Sequence, residues 1–336
     1  MVRQSDLVFR LLCRQLGCHL CFTPMLPASH LVQACREWPD AIHDFIRTNA
    51  EDRPLIAQIQ GNDKELLAEA CRLLGPYCDG IDLNLGCPQS CAKVGKFGAY
   101  LLEDADLIES LVVAMVKASP VPVSCKIRLL PTLKQTLELS QRIERAGCSM
   151  LTVHGRLREQ SHHQGAVDWD AIRSIREWLR IPVIGNGGIR SRHEADEMIA
   201  KSGCNGVMAA TALLADPSVF NHEGLDLLYL AKRYLELAQK YPPIDKKSCR
   251  DRILTMFWTT LRSNENLDLY GFLQNRLLET PEQVYLALGH FAKRIQHPMA
   301  DVWWPERLLS FRDILDMHSG ISDSEDEDFF EHLSQL

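Results

Sequence analysis

Short apolar runs rich in β-branched residues alternate with longer amphipathic stretches through the first two thirds of the chain, and this alternation constrains the fold most. The runs at 21–25, 55–60, 80–85, 121–127, 150–154, 181–184 and 206–210 read as strands. Between them, 63–74, 106–118, 133–146, 169–178 and 191–201 carry helical periodicity. Ser191 with Glu194 reads as a capping box, and Gly147 and Gly203 stand where helices should stop. Strand and helix in repeated alternation, with apolar strands, predict a parallel α/β sheet.

The runs number seven, and the chain opens on a helix-like stretch at 5–16. A (β/α)8 barrel needs eight strands. The alternatives are an open doubly wound sheet and a TIM barrel lacking most of its first strand. The glycine-bearing turns after the last two runs favour the barrel, whose final loops commonly bind phosphate. Residues 1–220 are therefore expected to form the barrel. Beyond them the pattern turns wholly helical, at 225–239, 248–263, 270–278, 281–295 and 306–317, with Pro242 and Pro243 breaking the first from the second. This predicts an all-helical domain over 225–320, followed by a disordered acidic tail over 321–336.

That tail settles what the charge means. The chain has 37 Lys+Arg against 44 Asp+Glu, yet Asp323, Glu325, Asp326, Glu327, Asp328 and Glu331 supply nearly all the excess. Without them the count is 37 against 38, which neither excludes nor demands a nucleic-acid partner. No run of 18 apolar residues is present and the first 30 residues lack a signal-peptide core, so a soluble intracellular protein without membrane contact is expected. Twelve cysteines without framework spacing fit reduced thiols, and Cys18-x-x-Cys21 has no second pair that would make a metal site.

Polar groups collect where the strands end, which is where a barrel builds its site. Gln58 ends one strand, Asn84 and Cys87 the next, then Lys126 with Arg128, His154 with Arg156, Asn186-Gly187-Gly188, and Ala209-Ala210. One such residue is an ordinary surface or network group; six successive strand ends make a constellation. The glycine turn and the segment 206–211 offer backbone N–H groups suited to a phosphate. Cys87 is a proton donor if its thiol stays neutral, a nucleophile if cations lower its pKa, or a structural thiol, and Cys91 competes with it.

The motifs Asp82-Leu83-Asn84-Leu85-Gly86-Cys87-Pro88, with Gly95, Gly98, Ala99 and Leu101 after it, Cys125-Lys126-Ile127-Arg128, Thr152-Val153-His154-Gly155-Arg156 and Asn186-Gly187-Gly188-Ile189 resemble those of the tRNA-dihydrouridine synthases. The resemblance spans about residues 2–220 and is strongest to the eukaryotic branch acting on uridines 16 and 17. It implies reduction of a tRNA uracil by FMN with NADPH as electron source, and Cys87 protonating C5. It further implies that Gln58, Lys126 and His154 hold the flavin, that Asn84 lies near flavin and uracil, and that Asn186, Gly187 and Gly188 approach the phosphate. Met1 and Val2 match only the end of the family's first-strand Pro-Met-Val. Ala209-Ala210 replace a common Gly-Arg, leaving backbone amides for the phosphate. A monomer working in the cytoplasm and nucleus is expected, with the helical domain holding tRNA through Lys246, Lys247, Arg250, Arg252 and Arg262. A non-catalytic tRNA-binding relic and a flavin barrel reducing a small pyrimidine are the alternatives.

Overall fold

The computed structural model describes residues 4–160, 165–245, 247–274, 278, 280–304, 309–310 and 313–314. They fall into two compact units, Met1–Leu213 with Ser218–His222, and Leu214–Pro217 with Glu223–Leu336.

The first unit is built on a parallel sheet: β1 (Cys21–Phe22), β2 (Leu26–Pro27), β3 (Leu55–Gln60), β4 (Gly80–Leu85), β5 (Val123–Leu129), β6 (Met150–Leu157), β7 (Val183–Asn186) and β8 (Gly206–Met208). The path runs β1-β3-β4-β5-β6-β7-β8, with β2 also pairing β3. From β3 onward each strand lies beside the next in sequence, and the order never reverses. A doubly wound sheet reverses at a switch point; this one is wound in the single sense of a barrel. Among the described residues no pairing joins β8 back to β1.

Proline explains where the observed strands depart from the expected ones. The run 21–25 yields only the two-residue strand Cys21–Phe22, because Pro24 has no N–H to donate to a ladder, and a second short strand, Leu26–Pro27, follows it. Strands β5 and β7 start at Val123 and Val183, each one residue past a proline rather than at 121 and 181. The last strand ends at Met208, so Ala209 and Ala210 belong to the turn before the helix Thr211–Ala215. The helix Ala28–Glu37 was not anticipated, although it buries Ala28, Leu31, Val32 and Cys35 at helical spacing.

The helices that follow β3 to β7 start in one way. Asp63, Asp104, Thr132, Asp168 and Ser191 each accept the backbone N–H three residues on, satisfying one orphan donor of the first turn. At Ser191 the expected capping box is only half made. The Glu194 carboxylate accepts the N–H of Arg190 instead, at 2.6 Å. Gly147 at φ +101° and Gly203 at φ +66° end their helices in the left-handed region.

The first helix, Leu7–Gln15, is tied to the loop before β3 by buried charge. Asp52, fully buried, accepts Arg10 Nε at 3.0 Å and Nη2 at 2.7 Å, and Arg14 Nε at 3.1 Å. Arg10 also donates to the carbonyls of Ser5 and Arg47, and Arg14 to that of Pro54.

The second unit holds helices Leu227–Lys240, Ser248–Met256, Trp258–Leu261, Leu267–Gln274, Pro281–Arg294 and Ala300–Trp303, and no strand among its described residues. Tyr234, Phe272 and Phe291 fill its core, with Phe257 and Phe291 edge to face at 5.1 Å. The expected helix 248–263 is broken at Phe257, and the one expected at 270–278 starts earlier, at Leu267. The stretch 306–317 lies almost wholly, and the acidic tail wholly, outside the described residues.

Candidate active site

Parity organises the sheet. In a strand successive side chains alternate between faces. A Cβ on Gly155 would strike Val167 and Ile172, and one on Gly185 would strike Met198, so odd-numbered positions of β6 and β7 face the helices. Odd positions are the apolar ones throughout: Leu55, Ala57 and Ile59, then Ile81, Leu83 and Leu85, Val123, Cys125 and Ile127, Leu151 and Val153. The other face carries Gln58 and Gln60, Asp82 and Asn84, Ser124, Lys126 and Arg128, Thr152, His154 and Arg156, and Asn186. A face that would otherwise be apolar core is instead lined with donors and acceptors, and it delivers them to the C-terminal ends of the strands.

Registry fixes their neighbours. Asn84 pairs with Lys126 and Lys126 with Thr152. Arg128 pairs with His154, and His154 with Asn186. Asn84 Nδ2 donates to Gln58 Oε1 at 3.0 Å, while its Oδ1 accepts the N–H groups of Gly86 at 3.2 Å and Cys87 at 3.0 Å. Arg128 Nε donates to the Gly86 carbonyl at 2.9 Å and Nη1 to those of Leu157 and Gln160. Asn186 Nδ2 donates to the Met208 carbonyl at 2.8 Å, tying β7 to β8.

Cys87 is thus held from below by Asn84. From above, the Ala99 N–H donates to its carbonyl at 3.0 Å and Gly98 lies against it. Gly98 has φ +62°, and a Cβ there would stand 2.8 Å from the Cys87 carbonyl oxygen. Gly98→Ala is expected to cost about 1–3 kcal/mol of stability, read from urea unfolding. An unchanged midpoint would show that the loop yields freely. Burial pushes the Cys87 thiol up, against the smaller lowering effects of the Gln89 amide, Arg128 and Lys126. The shift favours the thiol over the thiolate, which suits a proton donor or a structural thiol better than a nucleophile. Cys91 is exposed on the short helix Ser90–Val94.

Lys126 is pushed down to about 8 by burial and by Arg128. Its ammonium donates to no acceptor among the described residues. Thr152 Oγ1 and Gln60 Oε1 are likewise buried without a partner among them. Burial and Arg156 lower Arg128 in turn. Three cations against the single carboxylate of Asp82 leave this face positive, which suits an anionic ligand. His154 lies flat against Gly187, where a Cβ would stand 2.6 Å from its Cδ2 and 2.8 Å from its Nε2. Gly187 at φ +108° and Gly188 at φ +75° need glycine's freedom to make that turn. Gln58, Asn84, Lys126, His154 and Asn186–Gly188 are thus brought together, with Ala209 and Ala210 in the turn after β8. Met1 and Val2 lie outside the described residues. Asp82, Ser124 and Thr152 were missed by reading strand ends alone; alternation along each strand would have found them.

Polar groups delivered at one parity from successive strands of a singly wound parallel sheet define a (β/α)-barrel type of site. A family model described as dihydrouridine synthase (Dus) matches residues 1–265, and the chain belongs to that family. A Rattus norvegicus protein named tRNA-dihydrouridine(16/17) synthase NAD(P)(+)-like is 40% identical over 243 residues, 72% of this chain and 55% of that protein. A Schizosaccharomyces pombe protein named tRNA-dihydrouridine(16/17) synthase is 38% identical over 244 residues, 72% of this chain and 61% of that one. A Homo sapiens protein named tRNA-dihydrouridine(20a/20b) synthase-like is 42% identical over 223 residues, 66% and 68% of the two chains. The chain thus spans little more than half the length of the first two of these relatives.

Among the described residues of the helical unit, the expected basic face is smaller than its sequence suggests. Arg250 is buried against Asp251 at 3.0 Å, and Arg252 is buried with its guanidinium 5.9 Å from the Tyr234 ring. Both guanidinium groups are turned into the unit rather than toward its surface. Lys247 and Arg262 remain exposed, Arg262 at 4.7 Å over the exposed Trp258 ring, and Lys246 lies outside the described residues.

Proposed function

We propose that the chain is a tRNA-dihydrouridine synthase that reduces the C5=C6 bond of uracil in tRNA, with FMN bound on the polar face and NADPH as electron donor. The observation that carries this is the placement of Cys87, its backbone pinned by Asn84 and the Gly98 loop at the rim of a positively charged strand-end site, with burial raising its thiol. The residues fit a flavin: the ammonium of Lys126, without an acceptor among the described residues, suits the electron-rich edge of its ring, and glycine at 187 lets the turn approach the His154 ring more closely than any Cβ would allow. Gln58, Lys126 and His154 would hold the ring, while Asn186, Gly187, Gly188 and the amides at Ala209 and Ala210 would face its phosphate. FMN supplies the hydride chemistry that no side chain here possesses. Hydride addition at C6 leaves negative charge between C5 and the C4 carbonyl. Cys87 meets it by releasing its thiol proton to C5, and the resulting thiolate regains a proton from solvent. Asn84 fixes the backbone from which that thiol projects, and Lys126 and Arg128 offset charge developing around it. The target uridine must leave its stack to reach the site, with Lys247 and Arg262 contributing phosphate or base contacts from the helical unit.

Relatives named for both position sets match the chain; we assign it to uridines 16 and 17 on its resemblance to that branch. Mass-spectrometric mapping of dihydrouridine in tRNA from cells lacking the gene, rescued with this chain, is expected to restore both positions. Restoration at 20a and 20b alone would reassign the target, and restoration nowhere would reject the activity.

A further inference from the structure

Asp82 sits in the middle of the polar face of β4 with no exposed surface. Its Oδ1 accepts the Ser124 hydroxyl at 2.7 Å and its Oδ2 accepts Gln58 Nε2 at 2.9 Å. Gln58 Oε1 then accepts Asn84 Nδ2 at 3.0 Å, and Asn84 Oδ1 accepts the Gly86 and Cys87 N–H groups. Every bond in this chain points the same way, toward Asp82.

A side-chain amide can turn end for end at little steric cost, but here both termini forbid it. An ionised carboxylate only accepts, so Gln58 must show it Nε2; a backbone N–H only donates, so Asn84 must show it Oδ1. The two demands meet at the Gln58–Asn84 bond and agree. Resting on the reading of the site given above, we propose that Asp82 is a positioning residue: it sets the orientation of both amides and so holds Cys87 over the uracil carbon that receives the proton.

The groups facing Asp82 are Gln58 from β3, and Ser124 and Lys126 from β5, with Cys125 on the opposite side of that strand. Burial raises the Asp82 carboxyl to about 6, against the lowering effects of Ser124, Gln58 and Lys126, so at pH 7 it is ionised and acts as an acceptor only.

The test compares Asp82→Asn with Asp82→Leu. An asparagine can keep the chain, with Oδ1 toward Gln58 and Nδ2 toward the Ser124 oxygen, and it does not titrate. It is expected to hold kcat within about threefold, since no step of the chain is removed. Leucine leaves Gln58 unanchored and is expected to lower kcat about 100-fold through misplacement of the acid. In the flavin-free chain, hydrogen exchange at the Gly86 and Cys87 amides should quicken about tenfold with leucine and not with asparagine, one hydrogen bond's worth of protection. Equal effects of the two variants on rate and exchange would overturn the proposal. A parent chain that makes no dihydrouridine would defeat the functional reading instead, and the amide exchange would still decide the role of Asp82.

Discussion

On the proposed function, Cys87→Ala is expected to keep its flavin, to be reduced by NADPH still, and to form almost no dihydrouridine. Removing the thiol deletes only the acid, whose contribution to such a step is about 100-fold to 10,000-fold. The backbone around it is held by groups the substitution does not touch: the N–H bonds to Asn84 and the carbonyl bond from Ala99 persist with any side chain at 87. Flavin absorbance of the purified protein and dihydrouridine counts on unmodified tRNA separate binding from chemistry. Because burial raises the thiol, the acid form lasts through neutrality, and activity should be lost only as pH rises beyond the ordinary thiol range. Cys91→Ala is expected to remain active, since that thiol is exposed on its helix. Loss of product in Cys91→Ala with retention in Cys87→Ala would exchange the roles.

Asp52→Ala is expected to destabilise the barrel unit by about 3–5 kcal/mol, because it strands two guanidinium groups that were buried on the strength of one carboxylate. Arg10 is 3% exposed and Arg14 side-chain exposure is 11%, so neither can recover water without moving the first helix. Replacing the partner as well, as in Asp52→Leu with Arg10→Met, should regain much of the loss, since a buried pair exchanged for apolar groups is often neutral or better. Urea unfolding of the full chain measures both. A loss below about 1 kcal/mol for the single substitution would mean the arginines behave as surface residues.

How much of this could be read from residues alone divides along physical lines. Strands β3 and β4 have the bounds the sequence suggested, because each carries apolar residues at every second position between turn residues at both ends. Strands beside Pro24, Pro122 and Pro182 shifted, since missing N–H groups act on pairing rather than on apolarity. Gln58, Lys126 and His154 were visible as polar residues at strand ends. The chain through Asp82 was not, because which amide accepts and which donates depends on partners 24 and 26 residues away. Arg250 and Arg252 misled for the opposite reason: charge counts on a helix do not reveal which side of it is covered.

The odd and even alternation described for the sheet carries an evolutionary consequence. Every contributor borne on a strand reaches the site by the same counting rule, so substitutions can tune a group one at a time, whereas deleting one residue inside β5 before Cys125 would turn Lys126 and Arg128 toward the helices and Cys125 and Ile127 toward the site. Drift in this family should therefore accumulate insertions in the connections and leave strand lengths fixed. The reading frame of the site is kept by the backbone, independently of which side chains occupy it.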